Sequence, residues 1–120
     1  MRMGRSSCVC AGTALLLVAA CATPSHVNSG FAALKRGDNP TAEAEFKAAL
    51  QEKPNDPYAL LNLAAVYENT GRSEEAVPLF KQVILVGKDI YPRRVTQKRE
   101  ANKSLADIAA DDLSRIPGAT

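Results

Sequence analysis

The chain is poor in the residues from which most active sites and metal sites are built. Its 120 residues include no tryptophan, one histidine (His26) and three cysteines. A transition-metal site needs several imidazole or thiolate ligands, and His26 has no second histidine to join it. The sequence also lacks a glycine-rich phosphate loop and a serine within a hydrolase-type motif. These absences disfavour an enzyme, and we expect neither a cofactor nor a metal.

The first twenty residues have the composition of an export signal. Arg2 and Arg5 stand at the start without an acidic residue, and an apolar run extends from Val9 to Ala20. This run has about 12 residues, whereas a transmembrane helix needs about 20. Small residues then precede Cys21, and small side chains fit a narrow protease site. The segment therefore predicts a signal peptide that is removed.

The ending Val-Ala-Ala-Cys at residues 18–21 resembles the lipobox of bacterial lipoproteins. In that family the cysteine is acylated and becomes the first residue of the mature protein. The resemblance implies that residues 1–20 are removed, that Cys21 carries acyl chains in a membrane, and that residues 21–24 form a short tether. Ala22 favours the periplasmic face of the outer membrane over the inner membrane. An ordinary secreted protein and an uncleaved anchor helix stay open as alternatives.

Removal of the signal changes both the charge and the cysteine content. Two of the 15 basic residues leave with it, so 13 basic residues face 13 acidic residues in the mature chain. Because that chain is formally neutral, we expect no nucleic acid as a partner. Cys8 and Cys10 leave as well, so Cys21 is the remaining thiol and no disulfide can form within one mature chain.

A period of 34 residues runs through the middle of the chain. In each unit, a glycine is followed by an alanine, a phenylalanine, a small or branched apolar residue and a large aliphatic residue. The paired positions are Gly37 and Gly71, Ala42 and Ala76, Phe46 and Phe80, Ala49 and Val83, and Leu50 and Ile84. Their spacings place the apolar side chains on one face of a helix. A repeat of this length indicates stacked helical hairpins, with each glycine ending a helix in a left-handed conformation.

This pattern resembles the tetratricopeptide repeat. The first unit ends in the Pro-Asn join of residues 53–57 that is usual between such repeats. The second unit opens with apolar residues at that family's first-helix positions, namely Leu60, Leu63, Ala64 and Tyr67. The resemblance covers residues 25–88, as units 25–55 and 56–88, and it is weaker in the opening helix of the first unit. It implies an all-α superhelix of two helical hairpins and a role in binding proteins.

Capping residues predict where the helices of the two hairpins begin. Asn39, Asp56 and Ser73 are expected to cap the second, third and fourth helices. Pro40 and Pro57 then fall in a first turn, where proline is well tolerated. The four expected helices cover residues 25–36, 39–52, 56–70 and 73–87.

Beyond residue 88 the period fails. Residues 89–94 are predicted as a loop, and a last helix is predicted over residues 95–116. Its apolar positions recur at helical spacing, at Leu105, Ile108, Ala109, Leu113 and Ile116. Because two repeats leave an open end, we expect this helix to cap the stack.

The tetratricopeptide resemblance also implies a binding surface. In that family the first helices of the hairpins line a groove that holds a peptide or a helix of a partner protein. The matching positions here are Phe31, Leu34, Lys35, Tyr58, Leu61, Ala65, Glu68 and Asn69. For Phe31, Leu34 and Leu61 a place in the hydrophobic core is an equal alternative.

A second candidate surface is a cluster of basic residues near the C-terminus. Its members are Arg93, Arg94, Lys98, Arg99 and Lys103, with Glu100 opposing them. Such a cluster suits anionic lipid headgroups or an acidic partner surface. The alternative is a solvated helix face that is balanced by Asp107, Asp111 and Asp112.

Two functions of different classes fit these features. One is a lipid-anchored periplasmic adaptor that binds a protein partner in an envelope assembly, a pilus or a secretion system. The other is a structural lipoprotein that self-associates, or docks on another repeat protein, through the ends of its repeats. The sequence does not decide between them.

Overall fold

The computed structural model describes residues 25–92 and 103–119, and every regular element within these ranges is an α-helix. The helices are α1 (His26–Lys35), α2 (Asn39–Glu52), α3 (Pro57–Asn69), α4 (Ser73–Val86) and α5 (Leu105–Arg115). The predicted all-α fold of two helical hairpins followed by a C-terminal helix is confirmed. None of these five helices has the length and apolar character needed to cross a membrane. The predicted signal peptide, Cys21 and the tether lie outside the described residues.

The predicted glycine caps are present in both repeats. Gly37 and Gly71 each have a φ of +76°, a left-handed conformation that glycine adopts without a steric penalty. The residue after each glycine donates its backbone N–H back into the helix that has just ended. Asp38 bonds the carbonyl of Ala33 at 3.0 Å, and Arg72 bonds the carbonyl of Tyr67 at 2.7 Å. This pattern ends α1 and α3 in the same way.

The predicted N-caps of α2 and α4 were wrong by one residue. Asp38 caps α2 through a bond from the Thr41 N–H to its carboxylate at 3.2 Å, whereas Asn39 is already helical. Arg72 occupies the N-cap of α4 without a side-chain capping bond, and Ser73 is its first helical residue. The physical reason is the short turn, because the residue that follows each glycine both closes the old helix and starts the new one. Asp56 does cap α3, as predicted.

The hydrophobic core contains the repeated positions. Phe46 and Phe80 are fully buried, and the repeated alanines Ala42 and Ala76 lie in the same core cluster. Phe46 packs directly over Gly30 of α1, where a Cβ atom would stand 2.7–2.9 Å from three carbons of the ring. The small residue in α1 therefore makes room for the aromatic ring of α2.

The five helices form two layers. α1 packs against α3 and α3 against α5, whereas no Cα atom of α2 lies within 8 Å of one in α4. One layer consists of α1, α3 and α5, and the other consists of α2 and α4. Because the helices of the former lie closer together than those of the latter, the stack curves toward α1, α3 and α5. We call the side of the stack formed by α1 and α3 the inner face.

The C-terminal helix starts later than predicted. Lys103 and Ser104 are not helical, so a helix that runs without interruption from residue 95 was wrong. Ser104 caps α5 and exchanges hydrogen bonds with Asp107 in a capping box. The backbone N–H of Leu105 donates to the carbonyl of Ile90 at 2.8 Å, which ties the start of α5 to the segment that follows α4. Tertiary contacts therefore set this helix boundary.

Gly87 allows the close packing of α5 on α4. It ends α4 as predicted, but with a φ of −100°, so it is not needed for a left-handed turn. A Cβ atom at Gly87 would lie 3.0 Å from the Cβ atom of Leu105 and 3.1 Å from the backbone nitrogen of Ala106. The absence of a side chain lets the first turn of α5 approach the last turn of α4.

Candidate functional site

The eight predicted partner contacts belong to α1 and α3, which pack side by side. For Phe31, Leu34 and Leu61 the alternative was a place in the hydrophobic core, and the burial of these side chains differs. Leu34 and Leu61 are half-buried and pack against the core, so part of each side chain is used by the fold. Phe31 is 39% exposed and is not part of the core cluster. It is the large apolar side chain of α1 that remains accessible to a partner.

A cation lies over the exposed ring of Phe31. The Nζ atom of Lys35, one turn later on α1, is 5.6 Å from the ring centroid. This distance is within the range of a cation–π contact, which is weak at an exposed site. The contact holds the Lys35 charge beside the ring, so this part of the inner face presents an aromatic surface and a positive charge together.

Tyr58 joins the inner face to the segment that follows α4. Its side chain is half-buried, and its hydroxyl donates to the backbone carbonyl of Tyr91 at 3.3 Å. The Tyr91 side chain is 57% exposed. The sequence interpretation missed Tyr91 because it lies outside the repeat, and an aromatic residue beside Pro92 in a predicted loop was the available signal.

The far part of α3 is polar. Asn69 is exposed, whereas Ala65 and Glu68 are half-buried. Burial raises the pKa of the Glu68 carboxyl above its usual range, and the charge of Asp112 on α5 raises it further, against the opposing effect of Arg115. The inner face therefore changes from apolar and aromatic near Phe31 and Tyr58 to acidic and amide-bearing near Glu68 and Asn69. Such a surface suits a peptide or helix with an apolar part and a polar part.

The basic cluster is described only at Lys103. Its ammonium group forms an ion pair with Asp111 on α5, and the hydrogen bond from Lys103, together with its charge, lowers the pKa of the Asp111 carboxyl. For Lys103 the pairing agrees with the balanced-charge alternative. The other four members, Arg93, Arg94, Lys98 and Arg99, lie outside the described residues.

His26 links α1 to α2. Its Nδ1 atom lies 2.8 Å from Glu45 and its Nε2 atom lies 3.6 Å from Glu52, so the ring stands between two carboxylates. The hydrogen bond with Glu45 is the main cause that raises the pKa of the imidazole above 6.5. Over residues 25–92 and 103–119, no three side chains with metal-ligating groups come together as a metal site. The contacts of His26 with Glu45 and Glu52 hold α1 against α2.

The pairing of His26 predicts a pH-dependent difference in stability. A raised pKa in the folded state means that the protonated imidazole stabilises the fold at low pH, and this contribution disappears as the pH rises through the folded-state pKa. We expect the protein to have a higher Tm than His26→Gln at about pH 5.5, with the difference vanishing near pH 8. Thermal unfolding of both proteins at several pH values measures this, and a difference that grows with pH would contradict the interpretation.

The sequence interpretation also missed a charged cluster between the two hairpins. The guanidinium of Arg72 lies 2.9 Å from Glu43 on α2 and 2.8 Å from Glu75 on α4, and it stacks on the Tyr67 ring at 4.3 Å. The pKa of the Glu43 carboxyl is lowered, first by its hydrogen bond with Lys47 and then by Arg72. These contacts join α2, α3 and α4, so they stabilise the stacking of the repeats.

Comparison with known proteins agrees with this arrangement. The family described as the tetratricopeptide repeat matches residues 33–95. Cellulose synthase operon protein C of Xanthomonas axonopodis pv. citri (strain 306) is 34% identical in an alignment of 92 residues that covers 72% of this chain. The same match covers 6% of that relative, so the chain corresponds to a small part of it. No solved structure matches the chain.

Proposed function

Because the chain belongs to the tetratricopeptide repeat family, we propose that it is an adaptor that binds a segment of a partner protein on its inner face. Acyl chains on Cys21 anchor it in the membrane, on the periplasmic side. The family is generally non-catalytic and serves as a protein-interaction module. We extend that property to this chain, since the inner face carries aromatic, apolar and amide groups and lacks a cluster suited to acid–base or nucleophilic chemistry.

The exposed ring of Phe31 is the observation that carries this proposal. Large aromatic side chains contribute most to binding when a partner covers them, and they are enriched at the centres of protein interfaces. Phe31 lies on the same helix as the half-buried Leu34, and the charge of Lys35 is next to its ring. A partner that inserts an apolar side chain here removes the Phe31 ring from water and meets a defined charge.

The setting of the adaptor rests on the N-terminal sequence. The three-part signal and the Val-Ala-Ala-Cys ending support export and lipidation, and Ala22 supports the outer membrane. An envelope assembly, a pilus or a secretion system supplies partners in that compartment. The match to a cellulose synthase operon protein supports the cellulose synthase system as a further candidate setting. The shared part is 6% of that relative.

Self-association through the ends of the stack is less well supported. The outward positions of α5 are exposed, and they include Asp107, Asp111 and Ser114. Charged and hydroxyl groups favour water over an apolar interface between copies. Sizing of the chain without residues 1–21 separates the two functions, since the adaptor requires no dimer at micromolar concentration and self-association does.

Photo-crosslinking in intact cells tests the adaptor. A photoreactive side chain at Asn69, exposed on the inner face, is expected to give one defined adduct with a partner protein. The same group at Glu74, exposed in the first turn of α4 on the other layer, serves as the matched control. Introducing Phe31→Asp together with the Asn69 reporter should abolish the adduct, because a charge replaces the apolar anchor.

The outcome is decided by comparison of the two positions. An adduct at residue 69 that depends on Phe31 supports binding on the inner face. Equal adducts from residues 69 and 74, or an adduct that survives Phe31→Asp, would place the partner elsewhere. Mass spectrometry of the adduct then identifies the partner.

A further inference from the structure

Consecutive helices run in opposite directions, so one end of the stack collects the starts of α1, α3 and α5 with the ends of α2 and α4. Ser25, Lys53 and Tyr58 line a single cleft at this end. Tyr58 also bonds Tyr91, and the start of α5 bonds the segment that follows α4. We call this the tether end and define it by Ser25, Lys53, Leu85, Lys88 and Tyr91.

The length of the tether limits how far this end can stand from a membrane. Cys21 and Ser25 are four residues apart, and a fully extended chain of that length spans about 14 Å. With acyl chains on Cys21, the start of α1 therefore lies within about 14 Å of the bilayer surface. The opposite end of the stack is farther away by the length of α2, about 20 Å for its 14 residues.

Two exposed apolar side chains lie at the tether end. Of the three exposed large hydrophobic side chains among the described residues, Leu85 and Tyr91 are at this end, whereas Phe31 is on the inner face. Leu85 is 73% exposed in the last turn of α4, and Tyr91 lies five residues beyond the end of that helix. The fold makes little use of either side chain. Tyrosine side chains are enriched at the level of the lipid headgroups. Burial of an exposed leucine side chain at the boundary between headgroups and acyl chains is favourable.

Two exposed lysines lie at the tether end. Within the described ranges, Lys53 and Lys88 make no ion pair. The exposed acids at this end are Glu52, which faces His26, Asp107, which bonds Ser104, and Asp89. Unpaired lysines near a bilayer are attracted by anionic headgroups.

We propose that the tether end is a membrane-contacting surface, with Leu85 and Tyr91 at the level of the lipid headgroups and Lys53 and Lys88 against anionic lipids. This inference rests on the proposed acylation of Cys21. It defines the orientation of the molecule, because the helices then stand away from the bilayer and the inner face is open from the side. A partner can reach Phe31 without displacing lipid.

Tryptophan fluorescence tests this orientation, since the chain contains no tryptophan. Tyr91→Trp places a single reporter at the tether end, and Arg36→Trp places one at an exposed position at the opposite end of α1. Each full chain is produced with its signal, acylated in a bacterial host, and reconstituted in vesicles of phosphatidylethanolamine and phosphatidylglycerol with brominated acyl chains. We expect several-fold stronger quenching of Tyr91→Trp than of Arg36→Trp. Adding Lys53→Glu and Lys88→Glu to Tyr91→Trp should reduce that quenching.

The possible results separate this inference from the function on which it rests. Intact mass measurement first establishes whether Cys21 carries acyl chains. Acylated protein with equal quenching at residues 91 and 36 overturns the orientation and leaves the lipid anchor standing. A chain without acyl groups overturns the anchor itself. Quenching of Tyr91→Trp that is unchanged in vesicles without phosphatidylglycerol and after the lysine substitutions overturns the role of the charges.

Discussion

Phe80→Ala is expected to lower the free energy of unfolding by about 3–5 kcal/mol. Phe80 is 0% exposed and belongs to the core cluster that joins α3, α4 and α5. Truncation removes buried apolar surface and leaves a cavity that the surrounding helices fill only in part. A small domain has a total stability of about 5–15 kcal/mol, so this one change removes a large fraction of it.

Denaturant unfolding of the chain without its signal measures this effect. Phe46→Ala is a second test, since Phe46 is the equivalent residue one repeat earlier and is equally buried. Leu85→Ala is the matched control on the same helix as Phe80, and its exposed side chain predicts a change within about 0.5 kcal/mol. A loss below about 0.5 kcal/mol for Phe80→Ala would contradict the assigned register of the repeat.

Cys21→Ser is expected to abolish acylation completely and to leave the precursor uncut. The proposed lipid is carried by the thiol, and a serine hydroxyl at the same position is a far weaker nucleophile than a thiolate. The change lies outside the helical stack, so the folded domain should be retained while its attachment to the membrane changes. Metabolic labelling with a fatty acid, together with the electrophoretic mobility of the product, measures both effects.

Cys10→Ser provides the control for this experiment. Cys10 lies within the predicted signal and away from the cleavage site, so its loss should leave labelling and processing unchanged. Normal maturation of Cys21→Ser would remove the lipoprotein interpretation. The inner face and its partner would then be studied as parts of a secreted protein.

The repeated part of the fold was predictable because its signals are local and occur twice. Gly37 and Gly71 mark the same left-handed turn, and Phe46 and Phe80 fill the same interior position 34 residues apart. A pattern that recurs in one register provides two independent observations of one structure. The N-caps of α2 and α4 were predicted one residue too late. Asp38 and Arg72 each close the preceding helix and begin the next, and capping rules that consider one helix at a time do not describe such a residue.

The candidate site was predictable in its location and less so in its chemistry. The tetratricopeptide resemblance placed the possible contacts on α1 and α3, but it did not distinguish Phe31 from Leu34 or Leu61. Burial depends on which neighbouring helix covers a side chain. Here Leu34 and Leu61 are partly buried against the core, whereas Phe31 remains accessible. Tyr91 was missed because it lies beyond the repeat and reaches Tyr58 through a contact across 33 residues.

The sequence by itself determined the number of hairpins, their helical character and the buried aromatic positions, since helical spacing and glycine turns depend on neighbouring residues. The tertiary structure alone decided where α5 begins and which side chains stay exposed. It also decided that the start of α1, the exposed Tyr91 and the start of α5 share one end of the stack. These features depend on contacts between segments that are distant in sequence, and such contacts leave no period in the chain.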